Sequence, residues 1–192
     1  MILLLSWITQ NIISINTQNV LFFISSLQFI LTMKTTFTLL LSCCLFANAF
    51  AQTVQFYGNP TSPISSGAVV PSGKQLLWTS GVVAGVADST AAEGTLARFG
   101  DTKTQAINIL KNLEKAVKAK GLTFKDVLML RIYVTPDHFK GNKHDYQGWF
   151  DAYAQYFGTK DNPIKPTRST IGIMALTHPD KFIEIELVAV FP

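Results

Sequence analysis

The run of residues 126–135 constrains the fold most, because it reads as a β-strand with two largely apolar faces. The residues of one face are Leu128, Leu130, Ile132 and Val134, and those of the other are Val127, Met129, Arg131 and Tyr133. A strand that is apolar on both faces is stable only where each face is covered. The sequence therefore predicts a covering layer on each side of this strand.

Two helices flank this strand in the sequence. Thr102 and Gln105 have capping-box spacing, and apolar residues then recur at helical intervals until Gly121. A second helix is predicted to begin near Asn142 and to end at Gly158. Its apolar stripe is aromatic, and such a stripe is more often core than part of a cofactor site. The stripe consists of Tyr146, Trp149, Phe150, Tyr153 and Phe157.

Three further strands are predicted, at residues 74–80, 168–176 and 182–191. The last two flank a turn at residues 177–180, which predicts a C-terminal hairpin. Residues 82–100 form a long loop of small residues, of a length that is often functional or mobile. The order of strand, helix, strand, helix, strand, strand predicts a single α+β domain.

The first 51 residues differ in composition from the rest. Residues 1–33 contain no charged side chain, and Lys34 then precedes an apolar run that ends in small residues at Ala49 and Ala51. This arrangement is typical of a secretory signal peptide at residues 33–51 and predicts a periplasmic or secreted protein. Residues 1–32 are then interpreted as sequence upstream of the true start, and residues 52–192 as the domain.

Two alternatives remain for this N-terminal region. Residues 20–32 could belong to a membrane anchor, although the run is short for a span of about 20 apolar residues. Cleavage before Cys43 would instead give a lipoprotein, although Leu41-Ser42 makes an imperfect lipobox. Under the signal-peptide interpretation we expect no stable membrane insertion after cleavage. Cys43 and Cys44 would be removed, so we expect neither a disulfide nor a thiol nucleophile in the domain.

Charge and histidine patterns disfavour several function classes. The chain has 16 basic and 12 acidic residues, and its lysines are scattered among acids, so no nucleic-acid partner is expected. His138, His144 and His178 lack metal-ligand spacing, so no metal site is expected. There is no G-x-S-x-G elbow and no phosphate-binding glycine loop, which disfavours common hydrolases and nucleotide-binding proteins.

The remaining candidates for chemistry are one arginine and two glutamates. Arg168 lies at the start of a predicted strand, and Glu184 and Glu186 alternate with apolar residues on another. The alternation places both glutamates on the face opposite the buried one. In isolation, the glutamates read as solvent-facing charges, and Arg168 as a partner of one of them in a structural salt bridge.

Five short motifs in this order resemble the reactive intermediate deaminase (RidA, also called YjgF) family across almost all of the domain. They are Thr79-Ser80-Gly81, Thr104-Gln105 with Asn112-Leu113, Tyr146 with Phe150, Pro166-x-Arg168 and Glu184-Ile185-Glu186. The resemblance implies a chorismate mutase-like α+β fold, a mixed sheet with two helices packed on one face. It also implies a homotrimer with ligand sites at the subunit interfaces.

The resemblance implies roles for five residues. Arg168 would grip a substrate carboxylate, and Glu184 would handle the water that attacks an imine, as both side chains are chemically suited to do. Ser80, the Gly81 backbone and Thr170 would contact the substrate, and no cofactor or metal would be needed. The usual Gly-Pro-Tyr near the domain start is replaced here by Ser62-Pro63-Ile64-Ser65, so a site tyrosine is missing.

Two functions therefore stay open. One is an enamine/imine deaminase that converts 2-imino acids into 2-oxo acids and ammonia, and the other is a non-catalytic trimer that binds small carboxylates or a protein partner. A tight C-terminal hairpin would pair Arg168 with Ala189 and leave Glu184 several residues away. Arg168 and Glu184 would then share a substrate only if they came from different chains.

Overall fold

A computed structural model describes residues 19–22, 24–25, 28–29 and 53–192. The chain divides into two compact units, residues 1–51 and residues 52–192. In the first unit the described residues are helical and exposed. The predicted signal peptide lies outside the described residues. None of the described helices is both long enough and apolar enough to span a bilayer.

The second unit contains short and long strands and three α-helices. The strands are β1 (Gln55–Tyr57), β2 (Gly67–Val69), β3 (Leu76–Trp78), β4 (Val82–Val83), β5 (Val127–Val134), β6 (Pro136–Asp137), β7 (Lys143–His144), β8 (Thr167–Gly172) and β9 (Ile183–Val190). The helices are α1 (Leu96–Phe99), α2 (Thr102–Lys118) and α3 (Tyr146–Tyr153).

The main sheet has the order β3-β9-β5-β8, and β4 also pairs with β9. The β5–β8 pair is parallel and the other pairs are antiparallel, so the sheet is mixed, as predicted. The strand predicted to be apolar on both faces is β5, which lies inside the sheet. Two further strand pairs, β1–β2 and β6–β7, form separate two-stranded sheets.

The predicted C-terminal hairpin is wrong. β8 ends at Gly172 rather than at residue 176, so ten residues separate it from β9. This connection is long enough for the chain to pass across β5, and β8 and β9 consequently flank β5 on its two sides. The parallel β5–β8 pair requires a long crossover, which contains α3.

The first predicted helix is α2, but its cap is one residue earlier than expected. Asp101 caps it by accepting a hydrogen bond from the Thr104 backbone N–H at 3.0 Å. Thr102 donates both its N–H and its hydroxyl to the buried Asp137 carboxylate. Gln105, predicted to complete a capping box, is buried and accepts the Phe182 N–H at 2.8 Å. Both side chains therefore connect the helix to other elements instead of closing its first turn.

The two longer helices pack on one face of the sheet, as predicted. This face carries Leu130, Ile132 and Val134 of β5 and Ile183, Ile185, Leu187 and Ala189 of β9, all buried. They form one core with apolar residues of α2 and with Trp149, Ala152 and Tyr153 of α3. The opposite face carries Arg131 and the two glutamates of β9, which are half-buried. We call these the helix face and the open face.

Candidate functional site

The strand formed by β3 and β4 is interrupted at Ser80 and Gly81. Thr79 is bonded to Leu187 of β9, and Val82 pairs with Ile185, so two residues stand opposite Glu186 alone. This is the two-against-one arrangement of a β-bulge. The Thr79 hydroxyl accepts the Leu187 N–H at 3.0 Å and so holds the residue before the irregularity against β9.

Glu184 lies on the open face beside this bulge. It pairs with Val83 of β4 and Tyr133 of β5, and its carboxylate lies directly against the Cα of Gly81. A Cβ at residue 81 would overlap the carboxylate oxygen, so the close approach requires glycine here. The structure therefore brings Glu184 and Gly81 together, with the exposed Ser80 next to them in the chain.

Arg168 lies on the helix face of the edge strand β8. It pairs with Leu130, whose side chain is buried under the helices, and its guanidinium packs against three rings of α3. The Cζ atom is 4.5 Å from the ring centre of Tyr153, 4.7 Å from that of Phe150 and 5.9 Å from that of Trp149. Contacts of this kind stabilise a cation without neutralising it.

No carboxylate among the described residues pairs with Arg168, and its buried Nη1 atom has no hydrogen-bond partner there. Burial lowers the pKa of Arg168, against the opposing effect of Tyr153, although a guanidinium stays charged at any physiological pH. Burial also raises the pKa of Tyr153 to about 12, so the ring that covers the cation is neutral. Neither glutamate of β9 forms the alternative salt bridge with Arg168. Glu186 pairs with Arg131 at 3.0 Å, and Glu184 lies on the opposite face of the sheet from Arg168.

Thr170 shares the helix face with Arg168. It pairs with Ile132, and its hydroxyl oxygen accepts a hydrogen bond from Trp149 Nε1 at 3.3 Å. Thr170 and Arg168 are therefore held by the same helix. We refer to this pair as the arginine half-site, and to Glu184, Gly81 and Ser80 as the glutamate half-site.

The two half-sites lie on opposite faces of one sheet. The predicted pairing of Arg168 with Ala189 is wrong. Arg168 pairs with Leu130 of β5, and Leu130 pairs in turn with Leu187 of β9. Glu184 is three residues further along and two strands away, or about 10 Å in each direction. Since their side chains also point to opposite faces, one chain does not place both on a single small substrate.

The rings around Arg168 are the part of the site that the sequence did not reveal. The prediction that the aromatic stripe of α3 is core is confirmed for Trp149 and Tyr153, which are buried. Phe150, however, is 37% exposed while it contacts the guanidinium. The spacing of the aromatic residues predicts which side of α3 is apolar. Only the pairing of β8 with β5 shows that Arg168 lies beneath that side.

Within residues 53–192 and the short described segments before them, no three histidine, cysteine or acidic side chains are grouped as metal ligands would be. A carboxylate such as that of Glu184 can accept a proton, and a guanidinium such as that of Arg168 can bind a carboxylate bidentately.

Comparison with known proteins identifies the family. The model of the family described as "Endoribonuclease L-PSP" matches residues 61–191. A RutC family protein of Pyrococcus horikoshii is 30% identical over 90 residues, which are 47% of this chain and 63% of that protein. The match thus spans less than two thirds of the relative.

The fold agrees with that of a solved structure. A Rid family protein of unknown function from Yersinia pestis aligns with a TM-score of 0.53 and 24% identity, covering 73% of this chain and all of that one. Trimeric assembly is typical of the family. The chain therefore belongs to the endoribonuclease L-PSP family, which is the RidA/YjgF family that its sequence resembles.

Proposed function

We propose that this protein is a deaminase that hydrolyses reactive 2-imino and 2-enamino acids to 2-oxo acids and ammonia. The observation that carries the proposal is the guanidinium of Arg168, which is buried against aromatic rings and pairs with no carboxylate of the described residues. Removing a cation from water is costly unless an anion compensates it. A substrate carboxylate, bound bidentately, supplies that anion.

The reaction needs one water molecule and no other reactant. Glu184 accepts a proton from the water as its oxygen adds to C2 of the imine, and the proton passes to the imine nitrogen. The hydroxyl proton of the resulting carbinolamine then passes to the nitrogen, the C2–N bond breaks, ammonia leaves and C2 becomes the carbonyl carbon of the 2-oxo acid. An enamine first takes a proton at C3 and loses one from its nitrogen, and thereby becomes the same imine.

We further propose that the complete site lies between two chains of a homotrimer. The open face exposes apolar side chains in a way that suits association, including Trp78 at 65%, Ile171 at 43% and Leu76 at 40% exposed. A neighbouring chain that covers this face brings its arginine half-site towards the glutamate half-site. Ser80, the Gly81 backbone and Thr170 would then line the bound acid.

Export is part of the same proposal. The segment at residues 33–51 has the composition of a signal peptide, which supports a periplasmic or secreted protein. Sequencing the N-terminus of the protein from the producing cell's exported fraction tests this: the proposal requires a mature chain that begins near Gln52.

The activity is tested by mixing the purified protein with imines freshly made by an amino-acid oxidase and following ammonia release. Arg168→Ala should abolish the acceleration, and Arg168→Lys should restore only a small part, because an ammonium does not bind a carboxylate bidentately. Arg98→Ala is the matched control, since Arg98 also contacts a phenylalanine ring but is bonded to Glu93 and to backbone carbonyls. Equal rates for wild type and Arg168→Ala would refute the proposal.

The second candidate is a trimer that binds small carboxylates without turnover. It is favoured by Ile64, which stands where the family has a site tyrosine and packs against the core. Calorimetry separates the two functions. Binding of 2-oxo acids that depends on Arg168, in a protein that does not accelerate ammonia release, would establish the second candidate.

A further inference from the structure

The helix α3 presents an aromatic stripe to the strand that carries Arg168. Tyr146, Phe150 and Tyr153 are spaced four and three residues apart, which places them on one side of the helix. Tyr153 is buried, whereas Phe150 and Tyr146 are 37% and 38% exposed. The stripe therefore runs from the buried cation towards the surface.

Phe150 connects these two environments. Its ring centre is 4.7 Å from the Arg168 Cζ atom, yet more than a third of the side chain is in contact with solvent. A ligand whose carboxylate reaches the guanidinium consequently lies beside this ring. One helical turn earlier, the Tyr146 hydroxyl lies against Gly172, the β8 residue that faces the helix two positions beyond Thr170.

Two polar side chains next to this stripe, those of Thr170 and His144, already have partners. The Thr170 hydroxyl accepts from Trp149, and His144 stacks on Tyr146 with its Nε2 atom 3.2 Å from the Ile173 carbonyl. Gly172 contributes no side chain. Beyond the guanidinium, the surface available to a ligand is therefore mainly aromatic.

We propose that Phe150 and Tyr146 form the receptor for the substrate side chain, so that the preferred substrates are 2-imino acids with aromatic or branched apolar side chains. This inference rests on the proposed binding of the substrate carboxylate at Arg168. An apolar side chain gains from leaving water, and an aromatic one gains further from packing on a ring. The smallest imino acids, with a methyl side chain, would leave both rings in water.

Binding of the product acids tests this inference, because 2-oxo acids have the same carboxylate and side chain and are stable. The probes are pyruvate, 4-methyl-2-oxopentanoate and phenylpyruvate, titrated calorimetrically into the full protein. We expect phenylpyruvate to bind at least about tenfold more tightly than pyruvate. Phe150→Ala should reduce this ratio to about twofold or less, and Phe150→Leu should preserve the preference for the branched acid. The half-exposed Leu96, which lies on α1, gives the control Leu96→Ala, which should keep the wild-type ratio.

The outcomes separate the two proposals. If none of the acids binds the wild type, or if Arg168→Ala binds all of them as tightly as the wild type does, the carboxylate site at Arg168 is refuted. If binding requires Arg168 but pyruvate and phenylpyruvate bind wild type equally, only the assignment of the side-chain receptor is refuted. An equal loss for all acids in Phe150→Ala also refutes that assignment, because the ring would then only position Arg168.

Discussion

Arg131 and Arg168 lie on neighbouring strands of the same sheet but on its two opposite faces. Arg131, on the open face, is 40% exposed and pairs with Glu186 at 3.0 Å. Arg168, on the helix face, packs against rings and has no carboxylate partner among the described residues. The first arginine is satisfied within its own chain, whereas the second is suited to an anion from outside it.

The same contrast holds for the two glutamates of β9. Glu186 is engaged by Arg131, while Glu184 lies against the backbone of Gly81 with no ion pair among the described residues. Among the described residues, neither Glu184 on the open face nor Arg168 on the helix face therefore has an ion-pair partner. The difference between the faces supports the proposal that the complete site needs two chains, which the following experiments test.

Introducing a charge on the open face should have the largest effect. Trp78→Asp replaces a 65% exposed apolar ring in the proposed interface with a carboxylate, which should dissociate the trimer and lower turnover at least about a hundredfold. Sedimentation velocity and ammonia release measure the two effects. Leu96→Asp, a similar change on α1 outside the sheet, should leave both unchanged. A Trp78→Asp monomer with full activity would show that one chain suffices.

Moving the Glu184 carboxylate should have a smaller effect that falls mainly on catalysis. In Gly81→Ala the new methyl group overlaps the carboxylate and displaces it, so turnover should fall about tenfold or more, while binding of 2-oxo acids still depends on Arg168 and weakens by a smaller factor. Gly85→Ala is the matched control, because its methyl group would have only an ordinary contact, at 3.8 Å from Asn108. If Gly81→Ala weakened 2-oxo acid binding and left turnover unchanged, Gly81 would belong to the arginine half-site and not to the glutamate half-site.

The smallest expected effect concerns Asp101, whose negative charge stabilises the N-terminus of α2. Burial alone would raise the pKa of Asp101, but bonds from the Thr104 N–H and hydroxyl and from Lys140 lower it overall. A carboxyl whose pKa is lowered by folding stabilises the protein above its unfolded pKa, and this contribution is lost as the pH falls through the folded pKa.

Asp101→Ala should therefore reduce the free energy of unfolding by about 1 kcal/mol at pH 7, with the difference shrinking below about pH 4. Urea unfolding at several pH values measures it, with the exposed Asp161→Ala as the control. A difference that does not vary with pH would mean that the charge of Asp101 is irrelevant to the cap.

The sequence predicted the parts of the fold that depend on local pattern. Alternation along β9 placed Glu184 and Glu186 on the face opposite Ile183 and Ile185. The two apolar faces of β5 predicted cover on both sides, and the structure shows the helices that cover one of them. Strand pairing was not predictable in the same way, because a tight turn at residues 177–180 and a longer crossing both satisfy the local sequence. The hairpin was therefore wrong, and with it the position of Arg168.

The residues of the candidate site were proposed from the sequence, but their arrangement in space was not predictable from it. Which face Arg168 occupies follows from its pairing with Leu130, a contact between positions far apart in the chain. The half-exposed position of Phe150 beside Arg168 depends on the same long-range pairing. The roles of Arg168, Glu184, Ser80, Gly81 and Thr170 remain predictions that mutagenesis must test.

The most direct test of the two-chain site is to mix two inactive variants. Arg168→Ala retains the glutamate half-site, and Glu184→Gln retains the arginine half-site, so each alone should be inactive. In trimers formed by random mixing of equal amounts, about one quarter of the interfaces combine two intact halves. Recovery of about a quarter of wild-type ammonia release is the predicted result, and no recovery in mixed trimers would contradict the account.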